Sequence, residues 1–235
     1  MNQRRTEHIM TIEDPIEFLH RDKSSILNQR EVGADTESFS KAIRSAMRQD
    51  PDVILVGEMR DFETIHTAIT AAETGHLVLS TLHTVDATET INRIISVFPP
   101  YQHKQIRVQL ASVLRAVISM RLIPRSDGKG RVPAVEVMRS TGAISECIED
   151  PSRTKFIPDY IKRGHSQYGM QSFDQSLLSL FKDEHITYEE ALRRATSPDD
   201  FALKVKGVQS TEELREEEEE AIKSQDEPKI QRFSK

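Results

Sequence analysis

The chain of 235 residues has no tryptophan and a single cysteine, Cys147. One thiol excludes an internal disulfide framework and a cysteine-rich zinc site. Its plain reading is a buried thiol that packs as a small apolar side chain. No run of about 18 apolar residues occurs, so no membrane span is expected. The segment Met1–His8 lacks the apolar stretch of a secretory signal. A reduced, cytoplasmic setting follows as the expectation. Positive charge is not in excess either: 32 Lys and Arg stand against 38 Asp and Glu, net -6, which argues against a nucleic-acid surface. Much of the acid sits in one run, Glu212 to Glu220, so the body before it is closer to neutral.

What is present is an ordered alternation of apolar patterns. Glu7 to Ile12 reads as a short strand ended by Asp14-Pro15, with residues 1–5 as the last turn of something earlier. Residues 21–35 are polar and loop-like. Ser38 to Arg48 places Phe39, Ala42, Ile43, Ala46 and Met47 at helical spacing. Val53-Ile54-Leu55-Val56 is a continuous apolar run, the pattern of a strand buried on both faces. Asp61 can cap a helix over Phe62–Glu73, Gly75 ends it, and Leu77 to Thr81 is a second buried strand. A helix follows Asp86, and another covers Tyr101 to Arg115. Val117–Ile123 and Val132–Met138 flank Asp127-Gly128-Lys129-Gly130, a hairpin pattern. Helices are then expected at about 143–149, 157–164, 172–183, 187–195 and 198–205, the last with Pro198 at its first position. Strand–helix–strand units with short links predict an α/β fold with a parallel sheet and a site at the carboxyl ends of its strands.

Three blocks could carry chemistry there. In Arg48-Gln-Asp-Pro-Asp-Val-Ile-Leu-Val-Gly57-Glu58-Met-Arg60-Asp61 a buried strand ends on an acid. Such an acid can hold Mg²⁺ through water while the metal bridges phosphates. The alternative is a helix-capping cluster at a strand exit. In Thr11-Ile-Glu13-Asp14-Pro15-Ile-Glu17-Phe18 three acids crowd a neighbouring strand exit, where one could orient a water for phosphoryl transfer. The alternative is an Asp-Pro turn with solvated acids. In Thr74-Gly75-His76-Leu-Val-Leu-Ser80-Thr81-Leu82-His83-Thr84 two histidines bracket a strand. Their odd separation puts them on opposite faces of a regular strand, so joint metal ligation is not expected. Each could sense phosphate or serve structure.

The first block, with the other two in order around it, resembles the type II/type IV secretion ATPase superfamily. The resemblance covers about residues 5 to 207. It implies a RecA-like P-loop NTPase core with a mainly parallel sheet over 1–140, a helical C-terminal subdomain over 141–207 and an acidic, mobile tail over 208–235. It also implies ATP and Mg²⁺ as cofactors. Glu58 resembles the family's Walker B glutamate acting on magnesium, and Glu17 the catalytic glutamate that positions the attacking water. His76 and His83 resemble the two histidines that link the γ-phosphate region to subunit movement. Glu13, Asp14, Arg48, Gly57 and Arg60 fall in the nucleotide-binding blocks, and Arg44, Arg48 and Arg60 are candidates for the arginines a neighbouring subunit supplies. The implied assembly is a homo-hexamer, peripheral to the inner membrane through the pilus platform protein, with no nucleic-acid partner and no insertion of its own into the membrane.

The family's phosphate loop, Gly-x-x-x-x-Gly-Lys-Ser/Thr, wraps phosphates with backbone N–H groups and neutralises them with lysine. The family carries it, on the core's first strand, just before the acidic strand. The sequence here contains none: its one Gly-Lys pair, Gly128-Lys129, is followed by Gly130. Met1 is therefore expected to be an internal methionine, a truncated reading frame or a deliberate fragment, and the chain alone is expected to bind ATP weakly or not at all. Assembly-type members commonly carry a four-cysteine zinc element, which one cysteine cannot build. That points to the pilus-retraction branch, as do Tyr168-Gly-Met-Gln-Ser-Phe-Asp-Gln-Ser-Leu-Leu and Ile186-Thr-Tyr-Glu-Glu-Ala-Leu. One departure stands out. Retraction members often have Ala-Ile-Arg-Asn-Leu-Ile-Arg-Glu where this chain has Ala143-Ile144-Ser145-Glu146-Cys147-Ile148-Glu149-Asp150. The alternatives are a non-catalytic fragment or regulatory module of a full-length ATPase, and a type II secretion or pilus-assembly ATPase.

Overall fold

In the computed structural model, residues 1–207 are described. They divide into two compact units, Met1–Arg121 with Val135–Ser172, and Leu122–Ala134 with the chain from Phe173 on. The acidic tail expected over 208–235 lies outside the described residues.

The first unit is built on a four-stranded parallel sheet. Its strands are β1 (His8–Glu13), β2 (Ile26–Glu31), β3 (Val53–Val56) and β4 (Leu77–Ser80), in the order β2-β1-β3-β4. The central strands carry the apolar runs. Ile12, Ile54 and Val56 are fully buried and pack with Ile43, Ala46, Ala68 and Ala71. Those partners come from α1 (Phe39–Ala46) and α2 (Phe62–Glu73). Each buried isoleucine or valine contributes about 1.5–3 kcal/mol, so the core is held by few, well-patterned side chains. The helices start where capping residues stand. Ser38 accepts from the Lys41 N–H (3.3 Å), and Asp61 from the Thr64 N–H (2.8 Å).

A second cluster joins α2 to α3 (Ala87–Ser96), α4 (His103–Val113), α5 (Gly142–Glu149) and α6 (Ile157–Arg163) through Ile65, Ile91, Leu110, Ile144 and Ile157. Cys147 is fully buried within it, as expected, and burial pushes its thiol pKa up. The short α7 (His165–Tyr168), which the pattern did not anticipate, follows α6 and ends on Gly169 in the left-handed region.

The hairpin strands β5 (Ala116–Pro124) and β6 (Arg131–Arg139) pair as a two-stranded sheet. Their connection holds the expected Asp-Gly-Lys-Gly turn, with Gly128 at φ 70° and Gly130 at φ 85°, a conformation side-chain-bearing residues disfavour. The second unit collects α8 (Phe173–Lys182), α9 (Tyr188–Arg194) and α10 (Pro198–Val205) around Ile123, Phe173, Leu177, Ile186 and Phe201. The compact units therefore divide differently from the expected boundary after residue 140. The helices α5 to α7 share the core of the first unit, and the tip of the hairpin belongs with α8 to α10.

One expectation fails outright. Residues 21–35 contain the strand β2, paired in parallel with β1 from His8–Ile26 to Glu13–Glu31. As an edge strand its residues alternate between exposed and half-buried, so it offers no apolar periodicity to read.

Candidate active site

The parallel register sets which residues share an end of the sheet. Glu13, Glu31 and Gly57-Glu58 close β1, β2 and β3, and Thr81 follows β4. Gly57 sits where two strands meet most closely. Its N–H donates to the Ile12 carbonyl (2.8 Å), and a Cβ there would lie 3.2 Å from that oxygen and 3.5 Å from the Glu13 Cα. Thr81 ties the next pair: its Oγ1 donates to the Gly57 carbonyl (2.6 Å) while its own carbonyl accepts from the Met59 N–H (3.1 Å).

Glu58 is mostly buried at this edge. Its Oε2 lies 2.7 Å from Arg60 Nε and 3.5 Å from His83 Nε2. Arg60 and His83 are themselves exposed, so both contacts are screened and their value is in placement more than in stability. Asp61, next in sequence, is spent on capping α2 through Thr64. The capping alternative thus applies to Asp61, and Glu58 points elsewhere.

The acidic loop is positioned by β2, which sequence reading missed. Gln29 Nε2 donates to Glu13 Oε1 and to the Phe18 carbonyl (both 3.0 Å), and its Oε1 accepts the His20 N–H (2.7 Å). Glu31 Oε2 accepts the Ile16 N–H (3.0 Å). Glu13 also accepts from Thr11 Oγ1 (2.5 Å). Asp14, which forms a cis peptide bond with Pro15, and Glu17 are exposed on this pinned loop.

The structure brings Glu13, Gly57, Glu58, Arg60 and His83 to one sheet edge, with Asp14 and Glu17 on the loop beside it. It does not bring Arg48 or His76 there. Strands rise about 3.3 Å per residue, so the four residues of β3 and of β4 set these two at the amino ends, roughly 13 Å away. Arg48 follows α1 and is exposed, as is Arg44. His76 Nδ1 sits 2.9 Å from the Ala71 carbonyl and 3.1 Å from Thr74 Oγ1, closing the end of α2.

The loop carrying His83 has an anchor that the sequence did not announce as functional. Glu136 on β6 is buried and its Oε1 accepts the Ala87 N–H (2.8 Å) at the start of α3. Burial raises its pKa, with Asp86 nearby adding to the shift, while the Ala87 N–H and Arg121 oppose it. Arg121 Nη2 also donates to the Val85 carbonyl (3.4 Å). A lone charged residue inside a buried strand pattern was the available signal.

No group of three or more His, Cys, Asp or Glu that could hold a metal occurs among the described residues. That fits Mg²⁺ in one specific way. This ion keeps several waters and takes one or two carboxylates plus phosphates, not an all-protein cage. Glu58 at a strand tip meets that need.

The family model "Type II/IV secretion system protein" matches residues 1–179. The chain belongs to this family. It is 47% identical over 203 residues to a twitching motility protein of Neisseria gonorrhoeae, covering 86% of this chain and 54% of that protein. It is 48% identical over 201 residues to a type IV pilus retraction ATPase of Pseudomonas aeruginosa, with 86% and 58% covered. Among solved structures, a pilus retraction motor with bound ADP superposes with a TM-score of 0.73 at 47% identity, covering 85% of this chain and 55% of that one. The Legionella pneumophila ATPase DotB gives 0.70 at 28% identity, over 79% and 50%. The α/β fold of this family is therefore the fold of this chain. The chain spans about half the length of the relatives it matches.

Proposed function

We propose that this chain is the catalytic portion of a hexameric motor ATPase that powers type IV pilus retraction, using ATP and Mg²⁺ in the cytoplasm beside the inner-membrane pilus platform. The observation that carries it is Glu58 at the carboxyl end of β3, held between Arg60 and His83 and next to the pinned acidic loop. Magnesium, when bound with ATP, supplies charge neutralisation at the phosphates. Glu58 takes the metal through water, and Glu17 orients the attacking water from the loop that Gln29 and Glu31 fix. Glu13 and Asp14 hold negative charge at the same edge. His83, touching Glu58, reads the state of that carboxylate. Arg48 and His76, at the amino edge, serve contacts between subunits and not chemistry within one chain. The relatives named for twitching motility and pilus retraction support this branch over assembly or type II secretion.

A second function, as a non-catalytic module that assembles with a full-length ATPase, is favoured by one observation. The 235 residues contain no Gly-Lys-Ser/Thr phosphate loop. Two measurements separate the two. Titration calorimetry of the chain with a non-hydrolysable ATP analogue and Mg²⁺ is expected to show no micromolar binding; micromolar affinity overturns the idea that the chain alone is inactive. In a chimera, this chain replaces the matched stretch of the Pseudomonas aeruginosa relative. That chimera is expected to hydrolyse ATP, and Glu58→Gln or Glu17→Gln to reduce turnover at least a hundredfold. A folded, hexameric chimera without ATPase activity, or wild-type rates in either variant, sinks the catalytic assignment.

A further inference from the structure

The sheet has two free edges of opposite chemistry. β2 closes one with Asn28, Gln29, Arg30 and Glu31, the polar composition that protects an edge from pairing with another chain. β4 forms the other with Leu77, Val78, Leu79 and Ser80. Leu77 and Leu79 are 37% and 38% exposed, although strands of parallel sheets are normally covered on both faces.

The direction of the unpaired backbone groups on β4 follows from the pairs it does make. The Leu77 N–H donates to Asp52 and the Thr81 carbonyl accepts from Met59, both on the β3 side. Along a strand, alternate residues turn their N–H and C=O to alternate sides. Val78 and Ser80 therefore direct theirs away from β3, where no strand pairs with them among the described residues. Ser80 Oγ is also buried without a hydrogen-bond partner.

Beyond this edge lies a groove of about 1060 Å³, with β4 lining one part and residues 116–120 of β5 another. Ile118 and Met120 are 69% and 63% exposed on β5, which pairs only with β6. Two strands, each with one free edge and apolar side chains, thus line one groove. Isolated hydrophobic edges of this kind are templates for strand addition.

We propose that this groove receives an extended apolar segment that adds a strand to β4 through Val78 and Ser80 and covers Leu77, Leu79, Ile118 and Met120. Residues 208–235 contain no run of four apolar or β-branched residues, so their composition does not suit the role. The segment comes from polypeptide outside this sequence, and about half the length of the Neisseria gonorrhoeae relative lies outside the match. The inference stands on the edge and the groove, and its test contains no nucleotide, so it fails or succeeds separately from the ATPase proposal.

Ten-residue peptides tiling the unmatched part of the Neisseria gonorrhoeae relative are the probes, and amide hydrogen exchange of the whole chain is the readout. One peptide, with its overlapping neighbours, is expected to slow exchange of the Val78 and Ser80 amides at least tenfold and to protect β5. Ser80→Pro removes a free-edge N–H without touching the β3 ladder and is expected to abolish that protection. Ile118→Lys, at an exposed position where the fold tolerates charge, is expected to weaken it at least tenfold with an unchanged circular dichroism spectrum. The proposal is overturned if no peptide protects β4, or if protection falls on β2 instead. It is equally overturned if Val78 and Ser80 are already slow in the dilute chain, or become slow with chain concentration alone. In those two cases the chain's own residues or a second copy fill the groove.

Discussion

Gly57 joins the fold to the site, and replacing it with alanine tests that link quantitatively. The residue has no left-handed φ, so alanine is acceptable to the backbone itself. The conflict is with the neighbouring strand. The new Cβ would stand 3.2 Å from the Ile12 carbonyl oxygen, 3.5 Å from the Glu13 Cα and 3.8 Å from a ring carbon of Phe39. Two of these are main-chain atoms that cannot rotate away, and the Ile12 oxygen is already held by the Gly57 N–H. Overpacking of this kind costs about 1–3 kcal/mol. The reduced freedom of the unfolded chain returns about 0.4–1 kcal/mol, leaving a net loss of roughly 1 kcal/mol, the difference of the two mid-range values. Gly142 is the matched control. It begins α5, has an ordinary φ, and a Cβ there meets nothing within 4 Å. Gly142→Ala should therefore stabilise by about 0.4–1 kcal/mol. In urea unfolding followed by circular dichroism, a gap of about 1.5–2 kcal/mol between the variants becomes a midpoint difference near ~1 M at a slope of about 2 kcal/mol/M. Equal midpoints for the two alanine variants would refute the close-approach account of Gly57. A stable Gly57→Ala chain should still show faster amide exchange at Glu13 and Glu58, because the shift falls on the backbone that carries both.

Other perturbations act on separate parts. Asp61→Ala removes the cap of α2 and should cost about 1 kcal/mol, while Asp61→Asn should restore most of it, read from urea midpoints; equal losses would mean that charge and not capping is the contribution. Gln29→Leu leaves the His20 N–H and the Phe18 carbonyl without their partner, and should raise exchange across residues 14–20 while β1 stays protected. Glu136 has a folded-state pKa raised chiefly by burial. The folded state thus binds its proton more tightly than the unfolded chain, so stability from this group is lost as pH rises from the ordinary carboxylate range through the raised value. Glu136→Gln keeps an acceptor for the Ala87 N–H and should flatten that decline, measured as melting temperature between pH 4 and 8; an unchanged slope would remove Glu136 as its source.

Much of the architecture was legible in the chain itself. Val53–Val56 and Phe62–Glu73 match the observed elements residue for residue, because a continuous apolar run and a capped helical period are local signals. The order of acidic, glycine–glutamate and histidine blocks along the chain was likewise a property of sequence. Tertiary structure decided which of them meet. Parallel pairing puts residues at the ends of successive strands on one edge, so Glu13, Glu58 and His83 converge while Arg48 and His76 fall at the far end. It also decided the role of β2, whose polar side chains carry no periodic signal because an edge strand faces water. Only pairing with β1 turns Gln29 and Glu31 into the supports of the acidic loop. Local pattern records what each segment buries, and distances between segments arise only when the whole sheet closes its hydrogen bonds.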